Sequence, residues 1–212
     1  HDDKALQAFT EWTDFHNNYQ LLLDYNFLNR FRMGDMPVGI ADYTMYNSLE
    51  VGAPEIRGLW DFTMVPGTMG QDGSINRTVP ASGTGCILLA QSTHPSAAWE
   101  FLKWWTDTQA QTDYAQEIEN ALGPSGRYAT ANLEALESLS WKRSQLQVLT
   151  DQIDATQGIP EVAGGYYVNR QIYNAFRRVV IQKDAQIRNV LLDYEQIINN
   201  EIAQKRKEFR LE

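Results

Sequence analysis

The sequence predicts a helix-rich α/β fold, and three observations carry that prediction. Apolar residues recur at steps of three and four near both ends of the chain and again just before residue 105, the spacing of one helical face. Short apolar runs bounded by Gly or Pro lie between those stretches and read as strands. With 212 residues, 43% of them hydrophobic and 11% aromatic, the chain can bury a core as one domain or two small lobes.

Ala5, Phe9, Trp12, His16, Tyr19 and Leu23 mark the first helix. A second, short helix over 27–31 stops at Gly34, with Pro37 close behind. Strands are expected over 37–41 and 56–65; in the second, Trp60, Phe62 and Met64 alternate to one side before Pro66 and Gly67 turn the chain. Residues 67–76 have turn composition. Asp72-Gly73-Ser74 reads as a hairpin turn, because the remaining ligands of a calcium loop are missing. A buried strand is expected over 85–90, where Ile87, Leu88 and Leu89 are continuous and Cys86 reads as a small core residue.

The clearest helix follows. Ser92 or Thr93 is placed to cap it, Pro95 occupies the first turn where its missing N–H costs nothing, and Ala98, Phe101, Leu102 and Trp105 share a face. That pattern assigns Trp99, Trp104 and Trp105 to packing. The helix continues, with a kink, toward Leu122 and is broken by Gly-Pro-Ser-Gly at 123–126. Two more helices are expected over 132–139 and 144–153, then a loop from 157 to 165. The end is helical: Ile172, Ala175, Phe176 and Val179 mark one face, and Ile187, Val190, Leu191, Tyr194, Ile197 and Ile198 another, with a break at Lys183-Asp184.

Composition removes several function classes. Twenty-seven acidic against 18 basic residues give a net charge of −9, which opposes the phosphate attraction behind nucleic-acid binding despite Lys205-Arg206-Lys207. A single cysteine allows neither an internal disulfide nor a thiolate zinc cluster. His1, His16 and His94 fit no metal-binding spacing, and His16 reads as a satisfied, partly buried helix residue. Ser82 lacks the leading glycine of a nucleophile elbow, and no glycine-rich phosphate loop is present, so no metal or cofactor is expected. A glycoside-active enzyme would need two converging carboxylates drawn from Asp42, Asp61, Glu117 and Glu161, residue types that more often cap or face solvent. A protein-interaction module using exposed aromatics is the third class. No apolar run approaches the roughly 18 residues of a membrane span. The opening His1-Asp2-Asp3-Lys4 lacks the basic and then apolar order of a signal peptide, so the chain reads as a piece of a longer precursor.

What the sequence does offer is aromatic and small polar residues at element ends. Asp42, Tyr43, Thr44 and Tyr46 follow one expected strand, Ser82, Gly83 and Thr84 precede another, and Gly164-Gly165 frees a loop to present Tyr166, Tyr167 and Arg170. Ligands of α/β domains gather at such ends. A sugar asks for flat apolar faces and for Asp, Asn or Arg to take its hydroxyls, and these segments hold both. Arg170 has the opposing reading of a partner for a carboxylate.

Three blocks also carry a family likeness. Residues 30–40, Arg-Phe-Arg-Met-Gly-Asp-Met-Pro-Val-Gly-Ile, look like a short helix, turn and strand leading to ligand aromatics. Residues 60–67, Trp-Asp-Phe-Thr-Met-Val-Pro-Gly, look like the next strand and its turn. Gly83-Thr84-Gly85-Cys86-Ile87-Leu88-Leu89, with residues 97–105, Ala-Ala-Trp-Glu-Phe-Leu-Lys-Trp-Trp, looks like a strand and helix block and is the most specific match. In this order they resemble the family-1 extracellular solute-binding proteins of ABC importers, maltose binders among them, across essentially the whole chain, which equates to the second half of such a protein.

The resemblance implies a two-lobe, type II periplasmic-binding-protein-like fold with its N-terminal portion missing. Residues 1–80 and 124–212 then belong mainly to the C-terminal lobe and 81–123 to a segment of the N-terminal lobe. It implies no enzyme activity, capture of a small polar solute of the carbohydrate class by lobe closure, ABC permease subunits as partners, and an extracytoplasmic lipoprotein location. It places ligand contacts at Asp42, Tyr43, Thr44, Tyr46, Ser82, Thr84 and Tyr173. Without the earlier strands, residues 85–90 and the tryptophan-bearing helix are expected to lack cover, so that the chain self-associates by burying Trp99, Trp104 or Trp105.

Overall fold

Helices dominate the computed structural model, which describes residues 3–81, 83–182 and 185–211. They are α1 (Asp3–Asn17), α2 (Phe27–Arg32), α3 (Met45–Gly52), α4 (Pro95–Thr106), α5 (Thr108–Leu122), α6 (Leu133–Glu137), α7 (Arg143–Asp154), α8 (Gly165–Ile181) and α9 (Ile187–Glu208). The strands are short: β1 (Thr68–Met69), β2 (Ile75–Asn76), β3 (Val79–Ala81) and β4 (Thr156–Gly158). The chain divides into two units, His1–Tyr25 with Pro160–Glu212, and Asn26–Ile159. Among the described residues no helix is long and apolar enough to cross a membrane.

The first unit packs α1, α8 and α9 around Phe9, Ala175, Phe176, Val179, Val180 and Val190. On α8 the buried residues fall at steps of one and four, so a single stripe faces the core. Phe176 stacks on Trp12 with ring centroids 4.1 Å apart, and His16 stands edge-on to it at 5.1 Å while its Nδ1 shares a hydrogen bond with the Leu21 carbonyl. His16 is thus the satisfied, partly buried residue expected. Helix α1 ends earlier than its apolar spacing predicts. The amides of Asn18 and Tyr19 both donate to the Asp14 carbonyl and Gln20 adopts a positive φ of 58°, which unwinds the chain and leaves Tyr19 74% exposed. The break predicted at Lys183-Asp184 lies outside the described residues.

In the second unit helices form where expected over 27–32, 133–137 and 143–154, α3 was not foreseen, and the single kinked helix expected toward Leu122 is two helices. Asp107 takes an extended backbone conformation and accepts a hydrogen bond from the Gln109 amide, so it separates α4 from α5, and Asn132 caps α6 by accepting from the Ala135 amide. Residues Gly123–Gly126 form a 3-10 turn, as the breaker sequence requires. Ala115, Leu136 and Leu139 form the core, with Tyr128, Trp141, Leu146 and Ile153 against it. The buried Gln111 and Thr130 satisfy one another there, the hydroxyl donating to the amide oxygen at 3.0 Å.

The expected strands are where sequence and structure part. Among the described residues no ladder forms over 37–41, 56–65 or 85–90. A strand is completed by a neighbour's N–H and C=O groups, and these segments find none. Residues 60–64 keep their alternation, with Trp60, Phe62 and Met64 half-buried and Asp61 and Thr63 exposed. Two side chains of α7 hold this segment instead, one of them through a backbone amide. Gln152 accepts from the Val65 amide at 2.8 Å, and Gln145 donates to the Asp61 carboxylate at 3.0 Å. Residues 85–90 are open: Ile87 and Leu89 are 78% and 62% exposed, and Cys86 is exposed instead of core.

The hairpin predicted at Asp72-Gly73-Ser74 is present. It joins antiparallel β1 and β2, with Gly73 at a φ of 80° that suits glycine, and Ser74 hydrogen bonds hold the exposed Asp72 carboxyl below its ordinary pKa. The parallel pairing of β3 with β4 was not foreseen, since 157–165 reads as loop. The cap predicted at Ser92 or Thr93 falls instead on His94, whose amide donates to the Ser92 hydroxyl. None of the residues of α4 is buried, so the assignment of Trp99, Trp104 and Trp105 to the core is corrected: Trp99 and Trp104 are 54% and 58% exposed, and Trp105 is half-buried against Tyr114.

Candidate functional site

The segment 42–46 folds as the entry to α3. The Met45 amide donates to the Asp42 carbonyl and the Tyr46 amide to the Tyr43 carbonyl, a tight turn that leaves Thr44 at the N-cap without a side-chain cap bond. This turn sends Tyr46 inward and keeps Asp42, Tyr43 and Thr44 at the surface.

Tyr46 meets Trp141 at 4.9 Å, Trp60 at 5.3 Å and Phe62 at 6.0 Å, all nearly edge-to-face, the arrangement that aligns positive ring edges with negative faces. The Arg127 guanidinium lies 4.6 Å from the Trp141 ring centre and 5.1 Å from that of Tyr46. Its Nε and Nη2 both donate to Oε1 of Glu119, at 3.1 and 2.7 Å, with the two side chains only 10% and 15% exposed. Asn47 donates to the Arg127 carbonyl at 2.7 Å, tying α3 to the same loop. A paired cation with aromatic faces on two sides is held in place and poorly hydrated. Three donors here, Trp60 Nε1, Trp141 Nε1 and Arg127 Nη1, have no hydrogen-bond partner among the described residues.

Tyr43 stands at the edge of this cluster, 6.5 Å from Trp141, with 36% of its surface exposed. Burial of its hydroxyl, with the nearby Tyr128 phenol adding to it, pushes the phenol up to about 12. Tyr43 is therefore a neutral hydroxyl at neutral pH, able both to donate and to accept.

The remaining predicted residues lie elsewhere. Tyr166, Tyr167, Arg170 and Tyr173 belong to α8 in the first unit, so the loop expected to present the first three is corrected to a helix. Gly164, at a φ of 85°, starts that helix instead of loosening the chain. Tyr166, Arg170 and Tyr173 follow one another at i, i+4 and i+7 on an exposed stripe, while Arg170 lies 4.9 Å from the Tyr167 ring centre, in place of the carboxylate pairing considered for it. Thr84 is exposed and belongs to no helix or strand, and Ser82 lies outside the described residues. Asp61, weighed as a catalytic carboxylate, accepts from Gln145 and from the Phe62 amide. A shallow open depression of about 430 Å³, lined by Glu11, Asp14, Phe15 and Tyr19, involves none of the predicted residues.

Arg127, Glu119 and Trp141 were not singled out from the sequence. The signal available was the Gly-Pro-Ser-Gly breaker directly before Arg127, which turns the chain back along α5 toward Glu119. No family model, no curated protein and no solved structure matches this chain.

Proposed function

We propose that this chain is part of a non-catalytic, substrate-binding component of an ABC importer, with the two-lobe type II architecture of the family-1 solute-binding proteins. In this reading it works outside the cytoplasm, delivers to permease subunits and takes a small polar solute of the carbohydrate class. One observation carries the reading. Of the residues that the resemblance assigns to ligand, Asp42, Tyr43 and Thr44 are exposed, Tyr43 reaches Trp141 at 6.5 Å, and Tyr46, two residues on, is the centre of an aromatic and cationic cluster. A hexose needs a flat apolar surface beside neutral and charged hydroxyl partners; here the exposed Tyr43 ring is the surface and Asp42 and Thr44 are the partners.

The test is thermal denaturation of the full-length protein with a panel of oligosaccharides, together with product analysis of the same mixtures. A cognate sugar at about 100 times its Kd stabilises by about 2.7 kcal/mol and is recovered intact. Turnover of the sugar, or no stabilisation by any member of the panel, defeats the proposal.

A further inference from the structure

Helix α4 is apolar on more of its circumference than its own unit covers. Ala98, Leu102 and Trp105 form a half-buried seam, while Ser96, Trp99, Glu100, Lys103, Trp104 and Asp107 are all exposed. Those six positions fall at i, i+3, i+4, i+7, i+8 and i+11, a straight stripe along the helix and its cap. We propose that this stripe is a self-association surface, on which α4 packs antiparallel against α4 of a second copy of the chain across a two-fold axis.

The order of residues along the stripe selects that occupant. An axis passing between Phe101 and Leu102 places Trp99 opposite Trp104 of the second copy and Glu100 opposite its Lys103. Each pair occurs twice, as an isologous interface demands. The small Ser96 falls opposite Asp107, whose carboxylate is turned to the Gln109 amide. A parallel copy would instead set Glu100 against Glu100 and Lys103 against Lys103. Within one chain Glu100 and Lys103 already pair at 2.7 Å but remain 71% and 49% exposed, so both are free to add a second partner. The two tryptophans, at 54% and 58% exposure, offer on the order of 300 Å² of largely apolar surface per copy, with Phe101 at its edge. That is under half of the roughly 800 Å² per partner in a standard interface, so the dimer is expected to be weak and to form only as concentration rises. Trp105, packed on Tyr114, takes no part.

Sedimentation velocity on the 212-residue chain tests this. The wild type passes from monomer to dimer as its concentration rises to about 100 µM, whereas Glu100→Lys and Lys103→Glu each shift the transition upward by about tenfold or more. An equimolar mixture of the two variants restores dimer, because a chain with two lysines on the stripe faces one with two glutamates. Pairing within one chain cannot produce that rescue. As a readout independent of variants, carbodiimide coupling of mixed nitrogen-15-labelled and unlabelled wild type yields Glu100–Lys103 crosslinks of mixed isotope. A monomer throughout the range, a dimer indifferent to both charge reversals, or crosslinks of single isotope only would overturn the proposal.

Discussion

Helices α8 and α4 are both rich in aromatic residues, yet they end in opposite environments. On α8, Ala175, Phe176, Val179 and Val180 lie on one stripe, and α1 and α9 supply Trp12, Phe9 and Val190 to cover it. On α4, Trp99, Phe101, Trp104 and Trp105 point in several directions, so that one neighbouring element can cover only part of them. A narrow apolar stripe is satisfied within its own unit. A broad one needs a further surface, and where none is present the large side chains remain in water.

Truncation is expected to affect the two helices very differently. Phe176→Ala removes a fully packed ring from α8 and is expected to cost about 3–5 kcal/mol, read from the urea midpoint by far-ultraviolet circular dichroism. Glu119→Gln leaves the Arg127 cation nearly buried without its counter-charge and is expected to cost about 3 kcal/mol. A loss below about 1 kcal/mol would mean that the two aromatic faces and water suffice for the guanidinium.

A smaller effect is expected at the proposed ligand rim. If the proposed function holds, Tyr43→Ala is expected to weaken solute binding more than tenfold, about 1.4 kcal/mol, by calorimetry. Tyr46→Ala is not a clean binding variant, because its ring is packed between Trp60 and Trp141 and its removal also lowers stability. Tyr43 carries a pH signature as well. Its phenol is raised in the folded state to about 12 from 10.0, so the unfolded chain loses that proton first as pH rises. Its contribution to stability is complete below pH about 10 and declines from there toward 12. Tyr43→Phe is expected to flatten that decline, and an unchanged slope would assign it to other groups. The smallest effect belongs to α4. At concentrations where the chain is monomeric, Trp104→Ala is expected to change stability by less than about 0.5 kcal/mol. A loss approaching that of Phe176→Ala would show that α4 is packed after all and would erase the contrast.

Residue order alone determined the helices other than α3, because their signals are local. Pro95 in a first turn, Asn132 at a cap, the 123–126 breaker and the spacing of Ala175, Phe176 and Val179 act within a turn or two of chain and need no distant partner. The same locality made the Asp72-Gly73-Ser74 hairpin legible and placed Asp42, Tyr43 and Thr44 together at a surface. Tertiary structure decided what depends on residues far apart in sequence. Runs such as 37–41 and 85–90 have strand composition, but a ladder also requires a neighbour to accept and donate, and apolar spacing does not encode whether one is present. The alternation at 60–64 recorded burial correctly while giving no hint that Gln145 would bond the Asp61 carboxylate and Gln152 the Val65 amide. The Arg127, Glu119, Tyr46 and Trp141 cluster joins four separate segments through a charge pair and ring contacts, and no period in the sequence links residues at such separations. Which large apolar residues are covered was likewise settled by packing. Trp12 found Phe176 while Trp104 found solvent, because spacing along one helix says which residues share a face, and only the assembled fold says what lies against it.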